Sequence, residues 1–593
     1  MFALRYHDQT KHHFNRFARS LGYLDWATQP DPFRRYRGAP VIELPRGALA
    51  DAVPYEALFD GSAEPVPVSE RSIGEFLRCS MGLSAWKQYG ASRWALRVNP
   101  SSGNLHPTET YLIREGRVYH YAARAHALEE RCVLDAGREE EGRSGKGETA
   151  AFLVALSSVH WREAWKYGER AFRYCQHDAG HAIGALRLAA AMLGWRLALL
   201  PRWSDAQVSA LLGLDRDTDF PGAEREEPEC LAIVTVDDPV RWLERDPSPL
   251  AEAAVRGSWR GTANRLSADR VDWPIIDEIA QATRYRGTDV SSRASHSTPP
   301  RRRGGDPARR LTRANPTGFA PQATSELSGS ARSVILQRRS ALAFDGHSGL
   351  RRVAFVSMLQ RLRPPSRAAL RRGLAEADAE AGPPAPPWDA IDWPPQVHLV
   401  LFVHRVEGLV PGVYAYLRDD TTRADWQAAM RQEFLWEPVN ANAPNAPNAP
   451  NDPNDPNDPN DPNDLFLLVP IDCRRIANRV SCDQEIAEDG FFSLAMVARL
   501  EASLREQGEW FYRRLFWECG LIGQVLYLEA EAAGARATGI GCFYDDPVHE
   551  MLGLTGHAWQ SLYHFSMGMP IEDTRLTSEP GYPWEATEAT KTV

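Results

Sequence analysis

The sequence predicts a duplicated domain that mixes helices and strands, and two observations carry this prediction. A long amphipathic helix is predicted between Trp161 and Leu200, because apolar residues recur there at three-, four- and seven-residue steps and Gly194 ends the pattern. The same stretch recurs 340 positions later, in one ungapped register from Gly168 to Leu214. A shared register of this length indicates two copies of one domain. The aligned pairs include Gly168 and Gly508, Arg173 and Arg513, Gly180 and Gly520, and Gly194 and Gly534.

Composition narrows the class of protein. The chain has 593 residues, enough for several domains, with 43% hydrophobic and 25% charged residues, which is ordinary for a globular protein. A net charge of -10 argues against non-specific binding to nucleic acid or to anionic membranes. No apolar run is long enough to span a bilayer, and the N-terminus lacks an apolar leader segment. The eight cysteines form no Cys-x-x-Cys pair, which favours free thiols and a cytoplasmic location.

The first copy is assigned to residues 69–244, after an N-terminal extension of residues 1–68. Apolar spacing predicts its first helix, β-branched and aromatic residues predict its strands, and proline, serine and glycine predict the loop between them. His177 and His181 lie one helical turn apart, but no third ligand accompanies them, so no metal site is predicted. The elements are a helix from Ser69 to Leu83, a loop from Pro100 to Asn104, strands Thr110–Ile113 and Val118–Tyr121, the long helix, and a strand near Leu231–Val236.

The second copy is assigned to residues 331–578, with a C-terminal tail of residues 579–593. Residues 245–330 lack apolar periodicity and include an Arg-Arg-Arg-Gly-Gly run, so they are predicted to be a disordered linker. Proline at every third position of residues 441–463 predicts an exposed, extended insert. The predicted elements of this copy are a helix at 350–362 and strands Val397–Val403 and Val413–Leu417.

Four motifs of the chain resemble the FMN-dependent nitroreductase superfamily, and most closely its SagB/ThcOx-type azoline dehydrogenases. The segment RVNPSSGNLHPTETYLI resembles the Pro-Ser-Ser/Ala-Gly loop of that branch, and Arg338-Arg339-Ser340 resembles the opening Arg-Arg-Ser of the superfamily. GARATGIGCFYDD, from Gly534, resembles the glycine segment that passes the flavin ring. GMPIEDTRL, from Gly568, resembles the C-terminal segment that carries a basic phosphate ligand. The resemblance covers both copies.

The resemblance implies an α+β fold, with an antiparallel-rich sheet flanked by helices in each domain. Superfamily members usually form homodimers whose two FMN sites are built from both subunits. Here the first copy keeps the Pro100–Asn104 loop but has no Arg-Arg-Ser, whereas the second keeps Arg338–Ser340 and Arg575 but has no such loop. The expected arrangement is an intrachain pseudo-dimer, which can be monomeric, with one complete FMN site.

Two groups of residues are expected to bind FMN. Guanidinium groups suit a phosphate, and a serine hydroxyl adds a donor. Small and neutral residues suit a flavin ring edge, where hydrogen bonds tune the electron affinity of the ring. The resemblance assigns the phosphate to Arg338, Arg339, Ser340 and Arg575, and the ring to Pro100, Ser101, Ser102, Gly103, Asn104, Gly539, Ile540 and Gly541.

Lys166 and Tyr167 resemble the Lys-Tyr pair thought to supply the base in azoline dehydrogenases. A lysine is mostly protonated at neutral pH, so this role requires burial or a cationic neighbour such as Arg162, Arg170 or Arg173. Lys166 as a positioning cation or a surface residue remains open.

The resulting hypothesis is an oxidoreductase that transfers a hydride between FMN and a small organic or peptide-derived azoline substrate. One alternative is an NAD(P)H-dependent nitro or quinone reductase. A second is a degenerate flavin-binding or scaffold protein without turnover, because each copy lacks half of the motifs.

Overall fold

The computed structural model describes residues 1–49, 52–135, 150–287, 329–364, 385–439 and 464–585. The predicted insert at 441–463 lies outside these residues. The α-helices, α1 to α16 in chain order, are Phe2–Gln9, Ala57–Asp60, Glu70–Ser80, His160–Tyr167, Ala171–Met192, Asp205–Leu212, Val240–Leu243, Ser248–Arg256, Pro274–Ala282, Ala331–Gln337, Arg352–Arg361, Arg423–Ala429, Arg474–Val480, Leu500–Gln507, Phe511–Ala532 and Asp545–Leu552.

Strands occur in both halves of the chain. In chain order, β1 to β20 are Tyr36–Arg37, Val41–Glu43, Leu83–Tyr89, Ser92–Arg97, Thr108–Arg114, Arg117–Ala122, Ala127–Val133, Ala151–Ser158, Arg196–Leu199, Glu227–Thr235, Ser258–Trp259, Thr262–Ala263, Val397–Val403, Gly412–Tyr416, Glu437–Pro438, Leu465–Pro470, Phe492–Arg499, Arg536–Ile540, Trp559–Gly568 and Thr577–Pro580.

Two antiparallel sheets with matching strand order confirm the duplication. The first sheet contains the run β7-β6-β5-β8-β10-β9, and the second contains β16-β14-β13-β17-β19-β18. Within each run every neighbouring pair is antiparallel. Each central strand is followed by a short and then a long helix, which are α4 and α5 in the first domain and α14 and α15 in the second. The predicted α+β fold with two fused domains is therefore confirmed.

The long helices α5 and α15 cross at the two glycines that the repeat brings into register. A methyl group on Gly180 would overlap the backbone of Trp517, and one on Gly520 would overlap the backbone of His177. Only glycine permits so close an approach of two helix backbones. The equivalent glycines of the two copies thus meet at a pseudo-two-fold axis.

Two equivalent ion pairs flank this axis. Arg173 of the first domain lies 2.8 Å from a carboxylate oxygen of Asp545 in the second, and Arg513 lies 2.6 Å from Asp205. The arginines are one aligned pair and the aspartates another, because each pair is separated by the same 340 positions. All four side chains are buried. The domains are therefore joined reciprocally, as the subunits of a symmetric dimer would be.

The prediction that α5 has a single apolar stripe is wrong, because every residue from Ala171 to Met192 is buried. The helix lies between the domains, and its polar side chains find partners across the interface. The Nε2 atom of His177, for example, lies 3.0 Å from the carbonyl oxygen of Leu562. An amphipathic pattern read from one copy cannot reveal a second apolar layer supplied by the other.

Both ends of the chain cross to the opposite domain. Strand β20, near the C-terminus, pairs with β3 of the first domain. In the N-terminal extension, the imidazole of His7 is fully buried and lies 3.0 Å from Oε1 of Gln560 and 3.2 Å from the hydroxyl of Tyr512. The first residues therefore pack as part of the domain interface.

The prediction of a disordered linker is wrong for residues 245–287. This region forms α8, β11, β12 and α9, and Ile275, Ile276 and Ile279 are buried in the main core. Spacing of one, three and four residues places these isoleucines on one face of a short helix. Residues 288–328, which hold the arginine run, lie outside the described part of the chain.

Candidate functional site

The Arg-Arg-Ser arm follows α10 and reaches across the domain interface. Arg338 donates a hydrogen bond of 3.2 Å to the carbonyl oxygen of Arg97, and Arg339 donates one of 3.0 Å to that of Ser84, both in the first domain. Ser340 pairs with Ala537 in β18, and its hydroxyl lies 3.1 Å from that of Tyr527. The arm is thus held between the two copies.

The two arginines of the arm lack a direct ion pair within the described part of the chain, although the charge of Glu531 acts on both and raises their pKa values. Among the described residues neither Arg338 nor Arg339 forms an ion pair, and the Nε and Nη1 atoms of Arg338 are buried without a hydrogen-bond partner. Burial lowers the pKa of Arg338, and burial together with Arg338 lowers the pKa of Arg339 to about 10. A bound anion would relieve both effects, so this is a candidate phosphate site.

The structure places Arg536 beside this cluster, paired with Glu572 at 2.5 Å, and takes Arg575 away from it. The positive charge of Arg536, at the start of β18, further lowers the pKa of both arm arginines. Arg575 instead pairs with Asp573 at 2.7 Å in an exposed position over the ring of Tyr89. Tyr89 and Ser84, the contact of Arg339, are five residues apart on β3, about 17 Å in an extended strand. The assignment of Arg575 to the phosphate is therefore wrong for this arrangement.

The loop after Pro100 is fixed by its own side chains. Asp178 of α5 accepts hydrogen bonds of 3.0 Å from both the backbone N–H and the hydroxyl of Ser102. The Asn104 amide donates to Ala95, and the Ser101 hydroxyl accepts from the backbone of His106. The sequence suggested that these side chains would contact a flavin ring edge. In the structure they instead form hydrogen bonds within the protein.

The loop and the arm approach the same face of α5. Asp178 holds Ser102, and His181 lies one helical turn farther along that helix. Burial, followed by the charge of Arg338, lowers the pKa of His181 to about 3. The structure therefore places Arg338 and Ser102 beside the same part of the long helix.

Lys166 and Tyr167, at the end of α4, lie against this loop. Gly103 has a left-handed backbone (φ +60°), and a methyl group there would lie 2.7 Å from the Tyr167 hydroxyl and 3.2 Å from Nζ of Lys166. The ring of Tyr167 stacks on that of Tyr174, with centroids 4.2 Å apart. Gly103 is exposed and Lys166 is partly exposed.

The three arginines expected to act on Lys166 are neutralised elsewhere. Arg162 pairs with Glu109 at 2.5 Å, and Arg170 and Arg173 both pair with Asp545. Each of the three arginines that the sequence offers as a cationic neighbour of Lys166 is therefore held by a carboxylate of another element.

A buried pair of carboxyl groups lies beside Lys166 instead, and sequence reasoning missed it. Burial raises the pKa of Asp178 to about 7, while burial and then the nearby Asp178 raise that of Glu163 well above its usual range. The charge of Lys166 acts in the opposite direction on Glu163. The aligned residues of the second copy are Ser503 and Glu518, so only the first copy has an acid at both positions. This difference between the copies is the one sequence signal for the pair.

The Asp178 carboxyl gives a testable pH dependence of stability. An acid whose pKa is raised by folding binds its proton more tightly in the folded state, so its contribution is present at low pH and is lost as pH rises from about 4 to 7. We expect Asp178→Asn to flatten the fall in unfolding free energy across that window by roughly 1.4 kcal/mol per pH unit. Urea unfolding at pH 5 and pH 8 measures this, and an unchanged slope would contradict it.

The glycine segment of β18 faces an aromatic wall. A methyl group on Gly541 would overlap the ring of Tyr174, and one on Gly539 would overlap the Tyr563 hydroxyl. Ile540 points the other way, into the core of the second domain, so its assignment to FMN contact is wrong for its side chain. The arginines of the arm suit the phosphate of FMN. At the ring end, however, the side chains of Tyr174 and Tyr563 pack directly against Gly541 and Gly539.

The pseudo-symmetric counterpart of this site is filled by side chains. Leu199 and Pro201 occupy the positions equivalent to Gly539 and Gly541. The guanidinium of Arg514 lies 4.7 to 5.5 Å from the ring centroids of Trp393, Trp510, Trp517 and Tyr285. The remaining cavity is about 30 Å³, the room of a single water molecule.

Comparison with known proteins identifies the family. The nitroreductase family model matches residues 64–223 and 395–569, one segment in each copy and together more than half of the chain. The chain therefore belongs to the nitroreductase family. No curated protein matches.

One solved structure matches almost the whole chain. It is a protein from Anabaena variabilis assigned as a nitroreductase, with 20% identity and a TM-score of 0.61 over 96% of this chain and 99% of that one. At this identity the likeness shows the fold alone. The Escherichia coli microcin synthetase McbBCD complex, with truncated pro-MccB17 bound, matches 33% of this chain and 71% of its own at 20% identity and a TM-score of 0.23.

Two further searches concern the described residues only. No group of three or more histidine, cysteine, aspartate or glutamate side chains there is arranged to hold a metal ion. No helix there combines the length and apolar character needed to cross a membrane.

Proposed function

We propose that the chain is an FMN-dependent oxidoreductase of the SagB/ThcOx type that oxidises a small organic or peptide-derived azoline. The observation that carries this proposal is the buried Arg338 beside Arg339, on the face of α5 that also holds the Ser102 loop. Arg338 and Arg339 would hold the phosphate, and the loop, Lys166 and Tyr167 would border the ring.

Bound FMN would supply a two-electron acceptor for hydride. Lys166 then removes the proton from the neighbouring substrate carbon, for which its amine must be neutral. Burial and the nearby Asp178 raise the pKa of Glu163, and the carboxyl group lies close enough for the charge of Lys166 to act on it. Tyr167, stacked on Tyr174, limits the space over Gly103 and orients the substrate.

A second candidate is a flavin-binding or scaffold protein without turnover. The tyrosine rings over Gly539 and Gly541 favour it, because a flavin ring reaches this segment only if Tyr174 and Tyr563 give way. An NAD(P)H-dependent nitro or quinone reductase would use the same flavin site, and bleaching of bound FMN by NAD(P)H would identify it.

Flavin titration tests the proposed site. We expect Arg338→Gln to weaken FMN binding by at least tenfold, since a hydrogen bond to a charged group contributes about 1.5–3 kcal/mol. Arg575→Gln should bind FMN as the wild type does, because Arg575 lies outside the cluster. Riboflavin, which lacks the phosphate, should not distinguish the Arg338 variant from the wild type.

Fluorescence quenching of the flavin on titration with protein measures the affinity of each protein for FMN and for riboflavin. Equal loss of FMN affinity in the Arg338 and Arg575 variants would contradict the assignment of the phosphate to the arm. A protein that binds no FMN would overturn the flavoenzyme proposal and favour the scaffold.

A further inference from the structure

Two cysteines of the second domain face each other beside the candidate site. The sulfur atoms of Cys482 and Cys542 are 3.0 Å apart, although the residues are 60 positions apart in the chain. Both side chains are partly exposed, whereas Cys79, Cys132, Cys175, Cys473 and Cys519 are buried. A paired and accessible arrangement of thiols is what disulfide exchange requires.

The backbone around the two cysteines is tied together on both sides. The amide of Gln484 donates to the carbonyl oxygens of Ser481 and Cys542, at 2.7 and 2.9 Å. The backbone N–H of Tyr544 donates to the carbonyl oxygen of Val480 at 2.9 Å. These hydrogen bonds join the backbone segments on either side of the two cysteines. They therefore hold the two sulfur atoms opposite each other.

The surroundings distinguish the two thiols. A hydrogen bond from Cys482, followed by one from His12, lowers the pKa of Cys542 to about 5, and the pKa of Cys482 is raised. The Nδ1 atom of His12 accepts from the backbone of Ala18, so its proton lies on Nε2. The charged and titratable neighbours are His12, Tyr167, Arg170, Tyr174, Asp483, Tyr544 and Asp545.

We propose that Cys482 and Cys542 form a redox-active dithiol that closes to an intramolecular disulfide by exchange with a small-molecule disulfide. Cys542 attacks as thiolate and forms a mixed disulfide, which releases one small thiolate. Cys482 then loses its proton and attacks the Cys542 sulfur, which releases the second small thiol. The protein loses two electrons and two protons, and the small disulfide is reduced to two thiols.

The position of the pair gives this step a consequence for the site. Cys542 directly follows Gly541, and the ring of Tyr174 packs against the Cα of Gly541. Tyr174 in turn stacks on Tyr167. Closure pulls the two sulfurs from 3.0 Å to bonding distance, about 2 Å, at the edge of the aromatic wall. The dithiol does not depend on FMN, so it stands or fails separately from the proposed function.

Oxidised glutathione is the probe. The full-length protein is equilibrated with it, quenched with N-ethylmaleimide and mapped by mass spectrometry. We expect a Cys482–Cys542 disulfide that dithiothreitol reverses, while Cys230, the other partly exposed thiol, is still alkylated. Cys482→Ser should instead trap one glutathione on Cys542, and Cys230→Ser should close the disulfide as the wild type does.

Reaction rates provide a second measurement on the unmutated chain. At neutral pH, iodoacetamide should alkylate Cys542 at least tenfold faster than Cys482 and Cys230. The proposal is overturned if both cysteines remain free, or if each takes up its own glutathione without forming the internal bond.

Discussion

Replacing Gly180 by alanine is expected to destabilise the protein by about 3 kcal/mol or more, because the added methyl group overlaps backbone atoms of Trp517. Backbone cannot rotate away as a side chain can, so α5 and α15 must separate along their shared interface. Overpacking of a well-packed core costs about 1–3 kcal/mol and occasionally more. Urea unfolding followed by circular dichroism measures the loss as a lower midpoint.

Gly184, one turn farther along the same helix, supplies the matched control. Its methyl group would meet side-chain rather than backbone atoms, namely Cγ and Cβ of Gln524 at 2.9 and 3.0 Å and Cδ2 of Leu521 at 3.4 Å. Alanine also exceeds glycine in helix propensity by about 1 kcal/mol, which offsets a small steric cost. Gly184→Ala should therefore remain within about 1 kcal/mol of the wild type. Equal stability of the two variants would show that the helices do not meet at Gly180.

The duplication could be predicted from the sequence because its cause is local. A glycine needed at a helix crossing is needed in both copies, so Gly180 and Gly520 mark the register. The partners of Arg173 and Arg513 could not be predicted, because Asp545 and Asp205 are recognised as partners only once the two domains face each other. Motif order gave the family.

The failures share a physical origin. The motif places Arg575 at the phosphate, but the partly exposed Asp573 two residues away holds it by a local ion pair. Arg536 lies within the GARATGIGCFYDD motif, but the glycines are the residues of that motif that the family resemblance assigns to the flavin. Glu163 and Asp178 come from α4 and α5, and only the packing of these helices makes them an acid pair. Sequence proximity did not give tertiary contact.

Lys166→Ala is expected to lower kcat for azoline oxidation at least a hundredfold while FMN remains bound. A positioned general base contributes about 10²–10⁴ in rate, and no other lysine lies within the Gly103 contacts. The proposed phosphate ligands lie on the arm rather than beside Lys166, so the flavin absorbance of the variant should match the wild type. Turnover of an azoline-containing model peptide, with FMN content measured in the same sample, provides the test.

Lys166→Arg separates a base from a positioning cation. Arginine keeps the positive charge and much of the reach beside Gly103, but it remains protonated and cannot accept the proton. If Lys166 is the base, the arginine variant should be as slow as the alanine variant. If the arginine variant retains turnover, Lys166 only positions the substrate and the base lies elsewhere. Full activity in Lys166→Ala would remove the residue from the chemistry altogether and leave the loop with a purely structural neighbour.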